Sequence, residues 1–131
     1  MVEVICDTSF LIHLSTRKIK NIDSVNTEIG QIQFVVPVVV WNELVALSIQ
    51  TRDTPSRKKN LKKQDVWKTI NYAEKLKIIP MSGTYADAEI TKHVKKHGGI
   101  VGTMDKELKR KIKGVGGSIM SFSKNKIVLE S

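Results

Sequence analysis

The chain predicts an α/β fold, a three-layer arrangement with a central, mostly parallel sheet covered by helices on both faces. Three observations carry this reading. Short β-branched runs alternate with stretches of helical spacing, short turns separate them, and no repeat or low-complexity tract divides the 131 residues. The length falls within the modal domain size of roughly 100 to 150 residues, so residues 1–131 are expected to form one domain with its own core.

The opening VEVIC is apolar and β-branched, and DTSFLIHLS then sets Phe10, Leu11 and Leu14 on one side of a helix, so a strand feeds a helix directly. Residues 17 to 33, with Asn21, Asn26 and Gly30 among charges, read as helix and loop. QFVV is the second strand, and Pro37 falls in the first turn of the next helix, where its missing N–H is harmless. That helix carries Val40, Leu44 and Leu47 on one stripe, with Glu43 beside it. A helix from about Lys58 to Leu76 turns Leu61, Trp67, Ile70, Ala73 and Leu76 inward, and Lys77 to Ile79 is a strand ending at Pro80. Thr84 is placed to cap the helix YADAEITKHVKK, whose buried stripe is Ala86, Ile90 and Val94 and whose end is marked by Gly98 and Gly99. GIVG is a strand, TMDKELKRKIK a helix with Leu108 and Ile112 inward, GGSIMSF a core strand and KIVLE an edge strand.

Composition excludes several classes. One cysteine cannot form an internal disulfide, so a disulfide-built secreted scaffold is out. No apolar run reaches the roughly 20 residues that a bilayer requires, and Glu3 and Asp7 interrupt the N-terminal apolar run where a signal peptide would carry no acid. A soluble, cytoplasmic protein with no membrane partner is expected. Against 13 Asp and Glu stand 22 Lys and Arg, a net charge of +9. Such a balance suits a polyanionic partner, and it equally suits solubility alone. The densest basic stretch lies between residues 51 and 63 and includes Lys58, Lys59 and Lys62.

What weights the first alternative is where the acids sit. In open α/β sheets, ligands bind outside the carboxyl ends of the strands. Asp7 follows the first strand, Glu43 sits in the helix after FVV, Asp87 follows Pro80 to Thr84, and Asp105 follows GIVG. Taken singly, each has a plain structural role: Asp7 and Asp105 as helix N-caps, Asp87 in a capping box with Thr84, Glu43 as a solvated helix residue. Jointly, four carboxylates at one sheet edge repel unless a cation sits among them. Without those four, nine acids remain against 22 bases, so the net charge conceals an acidic notch in a basic surface. Oxygen-only ligands select hard cations, which makes Mg²⁺ or Mn²⁺ the expected cofactor. Ser9 and Thr103 stand two residues from Asp7 and Asp105 and can hydrogen-bond the carboxylates or metal-bound waters, or serve plain turn chemistry. The chemistry such a site supports is phosphodiester hydrolysis, with lysines and arginines on flanking phosphates.

Three stretches carry a resemblance: VICDTSFL, VVPVVVWNEL and SGTYADAEITKHVKKHGGIVGTMDKELKRKIK. The sequence resembles a PIN domain, the metal-dependent ribonuclease fold, over roughly residues 1 to 14, 34 to 48 and 80 to 122. It is most similar to the branch that holds small-subunit ribosomal RNA processing nucleases and their small archaeal relatives. The resemblance implies an endoribonuclease with Asp7, Glu43, Asp87 and Asp105 as metal-binding acids, and it implies a frequent homodimer. Two departures stand out. Where that branch shows adjacent aspartates, Asp87 is followed by Ala88 and then Glu89, so one ligand is lost or replaced by Glu89. Gly102 stands where alanine is common, which is expected to loosen packing.

Lys58, Lys59, Lys62, Lys109 and Arg110 are the expected RNA contacts. His93 and His97 are spaced i, i+4, but Val94 occupies the place where a zinc protease needs Glu, so a solvated face is the simpler reading. His13 shows no partner, and Cys6 reads as a small buried hydrophobe. An Asp-x-Asp phosphatase is excluded because Ser9 replaces the second aspartate. Two further roles compete with ribosomal RNA processing: the toxin ribonuclease of a VapBC-type pair with an antitoxin partner, and a weakly cleaving RNA-binding subunit of a ribosome-assembly complex.

Overall fold

The β-branched VEVIC forms β1 (Val2–Cys6) and passes at once into α1 (Thr8–Thr16), with α2 (Ile22–Ile29) returning to the foot of β2 (Ile32–Pro37). Beyond it come α3 (Val38–Asp53), α4 (Lys63–Ala73), β3 (Lys77–Ile79), α5 (Ala86–His97), β4 (Ile100–Gly102), α6 (Lys106–Gly114), β5 (Ser118–Ser123) and β6 (Lys126–Glu130). This is a computed structural model that describes residues 1–53 and 63–130. Lys58, Lys59, Leu61 and Lys62 lie outside the described residues.

The strands make a six-stranded sheet in the order β3-β2-β1-β4-β5-β6. All neighbours run parallel except β5 and β6, which pair as an antiparallel hairpin. The α/β class read from the sequence is what forms, with KIVLE at the edge as expected. Chain order reverses direction between β1 and β4, so the crevice outside their carboxyl ends is the topological switch where such sheets bind ligands. Asp7 and Thr103 are the residues directly after those two strands.

Val4, Cys6, Val35, Val36, Val101, Ile119 and Met120 are fully buried in the sheet, and Leu11, Leu44, Ile90, Leu108 and Ile112 close over it from the helices. Cys6 is sealed, its thiol resting 3.5 Å from the Val4 carbonyl, which matches its reading as a core hydrophobe. Among the described residues no helix is long and apolar enough to cross a membrane.

Several local expectations are corrected. Trp67 does not turn inward: it is 43% exposed. At about 100° per residue, the buried Val66, Thr69, Ile70 and Ala73 span one arc of α4, and Trp67 falls roughly 110° from its centre. Pro37 closes β2 level with Ile79, and α3 starts one residue later; the Val39 N–H, which has no partner inside α3, donates to the Met81 carbonyl at 3.0 Å. Thr84 does not cap α5, because the helix starts at Ala86 and the adjoining residue is Tyr85, whose side chain makes no capping bond. Asp87 and Glu89 in the first turn serve that end instead, their charge facing the positive pole of the helix. Its far end is as expected: Gly98 takes φ 71°, which side chains resist, and its N–H closes on Val94 at 2.7 Å.

Gly102 is not a loose spot. The ring of the fully buried Phe10 fills the place of a side chain there, and a Cβ would stand 2.7 Å from it. Phe10 in turn stacks on Phe122 with centroids 4.8 Å apart. His13 also has partners: its ring stacks on Phe122 at 4.3 Å and its Nε2 lies 3.2 Å from the Lys124 carbonyl. At the start of α2, Asn21 pairs with β6 as a short strand would, accepting from the Ile127 N–H at 2.7 Å and donating to its carbonyl at 3.1 Å.

Candidate active site

Because β1 runs straight into α1, Asp7 must end a strand and cap a helix at once. Its own N–H donates to the Gly102 carbonyl at 3.0 Å, tying the two strand ends at the switch together. Its Oδ1 accepts from the Phe10 N–H and the Ser9 hydroxyl, both at 2.8 Å, and its Oδ2 accepts from the hydroxyl of Thr103. Asp7 is 5% exposed and Thr103 is fully buried. Thr103 accepts from the Asp105 N–H at 3.0 Å, and Ser9 accepts from the Met104 N–H at 3.1 Å. The β1–α1 and β4–α6 turns are thus stitched through the two hydroxyls expected to support the acids.

Burial pushes the Asp7 carboxyl up to about 6; the bonds from Thr103, Phe10 and Ser9 pull against that, and the charge of Asp87 adds to it. Asp87, half-buried in the first turn of α5, is therefore an electrostatic neighbour of Asp7. Asp105 is exposed and caps α6, its Oδ1 accepting from Glu107 at 2.8 Å and Leu108 at 3.0 Å. Glu43 is half-buried, not a solvated helix residue: Thr8, 4% exposed, donates to its Oε1 at 2.7 Å. Thr8 was missed in the sequence. The signal was its place beside Asp7, yet the partner lies 35 residues away on another helix.

Glu89 folds over Gly83 and lines a recess of about 240 Å³ with Lys92, His93, Lys96 and His97. No hydrogen bond among the described residues joins it to Asp7. Lys109 and Arg110, expected to contact RNA, already have acidic partners: Lys109 lies 3.4 Å from Glu130, and Arg110 pairs with Glu107. The Arg110 pair is exposed and weak, so it can exchange for a phosphate, whereas Lys109 and Glu130 are both half-buried.

The donor set suits a hard divalent cation. Asp7, Glu43, Asp87 and Asp105 offer only oxygen, and among the described residues no lysine or arginine forms an ion pair with Asp7, Glu43 or Asp105. A buried carboxyl whose proton is held up to about 6 gains from an external positive charge. Among the described residues, however, no three His, Cys, Asp or Glu side chains come together tightly enough to hold an ion by themselves. The set fits a cation that keeps waters and substrate oxygens in its shell, as Mg²⁺ does.

The mostly parallel sheet and its helical layers have the three-layer fold of a PIN domain, as the motifs implied. A solved structure of the PIN domain endonuclease Utp24 is similar, with TM-score 0.74 at 27% identity, covering 98% of this chain and 90% of that one. No protein-family profile matches the chain, and no curated protein does.

Proposed function

We propose that the protein is a divalent-metal-dependent endoribonuclease that hydrolyses RNA phosphodiester bonds in ribosomal RNA processing. The observation that carries this reading is Asp7: a buried carboxylate at the topological switch, beside Asp87 and with no cationic partner among the described residues, in a chain with net charge +9. Likeness to a PIN domain endonuclease supports the same reaction class. Asp7, Glu43, Asp87 and Asp105 would hold Mg²⁺ or Mn²⁺, which when bound lowers the pKa of a water and takes up charge developing on the phosphate. Thr103 and Ser9 fix both oxygens of Asp7 so that the carboxylate stays where the strand ends. Thr8 holds Glu43 from across the notch. Asp105, exposed at the head of α6, stands where a phosphate can approach the rim.

Purified ribosomal and transfer RNA incubated with the protein are expected to be cut internally in Mn²⁺ and left intact in EDTA. Intact RNA in both would sink the reading. Thr8→Val is expected to lower the cleavage rate about tenfold without loss of fold, with Thr8→Ser restoring it, since supporting bonds to metal ligands are worth roughly 10- to 100-fold. Equal rates for both variants would remove Thr8 from the machinery.

A second reading has its own observation. Ala88 in place of a second aspartate, with no three-residue metal cluster among the described residues, favours an RNA-binding subunit of a processing complex that cleaves weakly. Salt-sensitive RNA binding in EDTA together with no product in Mn²⁺ would select it.

A further inference from the structure

Three lysines meet at a recess that none of Asp7, Glu43, Asp87 and Asp105 lines. The α1–α2 connection supplies Lys20 and Asn21, and the β5–β6 hairpin supplies Ser123, Lys124, Asn125 and Lys126, around a volume of about 350 Å³. No Asp or Glu lines it. Among the described residues the paired cations are Lys77, Lys109, Arg110 and Lys113, so Lys20, Lys124 and Lys126 have no acidic partner. Three exposed ammonium groups around one recess repel each other and relax when an anion enters.

The recess is built, not accidental. The Lys20 N–H donates to the Asn125 carbonyl at 3.0 Å, Asn21 bonds both backbone groups of Ile127, and His13 sits on the Lys124 carbonyl. The two-residue turn places Lys124 at φ 56°, and no other non-glycine among the described residues has positive φ. A turn with positive φ at its first central position takes glycine most easily, so a lysine there is held against local strain. Position matters as well. Gly102, the last residue of β4 before Thr103, is level with Met120, and β5 continues to Ser123. The hairpin therefore stands three residues, on the order of 10 Å, past the sheet edge that carries Asp7 and Asp105.

We propose that this recess between the α1–α2 connection and the β5–β6 hairpin is a phosphate-binding subsite that grips the RNA strand away from Asp7, Glu43, Asp87 and Asp105. The inference deepens the ribonuclease reading and rests on its RNA-binding half alone. Lysines take the phosphate, while Asn125 and Ser123 offer hydrogen bonds to phosphate or sugar oxygens.

The test measures binding of a labelled single-stranded oligoribonucleotide to the whole protein in EDTA across a salt series. Combined Lys20→Ala, Lys124→Ala and Lys126→Ala substitution is expected to weaken binding about tenfold or more at low salt and to flatten the log–log salt slope by about 2, near 0.7 per lost phosphate contact. Lys124→Gly alone is expected to weaken binding several-fold while its Tm stays level or rises, because glycine relieves the turn. Parental affinity and slope in the triple variant would overturn the proposal, and so would a parent protein that binds no RNA. Affinity lost in Lys124→Gly only together with Tm would assign the lysine to the fold and overturn it too. Cleavage in Mn²⁺ is scored separately: weakened binding in a protein that never cleaves upholds the subsite and sinks the nuclease, and unaltered binding in one that cleaves does the reverse.

Discussion

Asp7→Asn is expected to abolish metal-dependent RNA cleavage and, in the same protein, to stabilise the metal-free fold at neutral pH by on the order of 2 to 3 kcal/mol. Both effects come from one cause. Burial holds the Asp7 carboxyl up to about 6 from 3.8, so keeping it ionised in the folded chain is costly unless a cation is present. Asparagine keeps the shape and can still accept from the Phe10 N–H and meet the Thr103 hydroxyl, but it carries no charge to desolvate or to bind an ion.

The sign follows from linkage. Asp7 binds its proton more tightly folded than unfolded, so its contribution is fully kept at pH below 3.8, is lost as pH rises from there to about 6, and stays lost above. The stability gap between Asp7→Asn and the parent should accordingly be near zero at pH 4 and grow to its full size by pH 7. Urea unfolding in EDTA across that window measures it, with the other titrating groups cancelling between the two proteins. Mn²⁺ should raise the Tm of the parent and leave that of the variant unchanged. A gap that is flat with pH would mean that Asp7 carries no desolvation cost and would weaken its assignment as the cation's anchor.

The fold was largely legible because its signals are local. VEVIC, KII and IVG are bounded by turn chemistry, and Ala86, Ile90 and Val94 or Leu108 and Ile112 declare their faces by spacing alone. Trp67 shows the limit: a large apolar residue biases the phase assigned to a helix, and here the smaller Val66, Thr69 and Ala73 set it. The candidate acids were legible as positions, since strand ends can be read in order along the chain. Their partnerships were not. Thr103 meets Asp7 across 96 residues and Thr8 meets Glu43 across 35, and such contacts depend on strand order, which no local pattern encodes. Of the two readings weighed for Asp7 and Asp105, the structure shows the helix cap: they cap α1 and α6, and the cap geometry fixes their carboxylates where the strands end. Charge counting likewise marked Lys109 and Arg110 as RNA contacts but could not see that Glu130 and Glu107 already face them.

Phe10→Ala is expected to cost about 3 to 5 kcal/mol, the usual range for emptying a fully buried aromatic site. The loss reaches past the cavity, since Phe10 bridges Phe122 at 4.8 Å and Phe34 at 5.9 Å and covers Gly102. Gly102→Ala attacks the same contact from the other side: its Cβ would meet the ring at 2.7 Å, between two strands that pair with β4 on either side, so the cost of overpacking should be about 1 to 3 kcal/mol. Combining them separates packing from backbone. In the Phe10→Ala background the new methyl enters space that the ring has left, so the double variant should lose at least about 1 kcal/mol less than the sum of the single losses. Denaturant unfolding of the four proteins closes the cycle. Additive losses would show that Gly102 is required by the backbone of β4 and not by Phe10. Cleavage should recover less than stability does. The Gly102 carbonyl accepts the Asp7 N–H and the Phe10 N–H caps the Asp7 carboxylate, so a repacked core can be sound while the carboxylate at the switch is displaced.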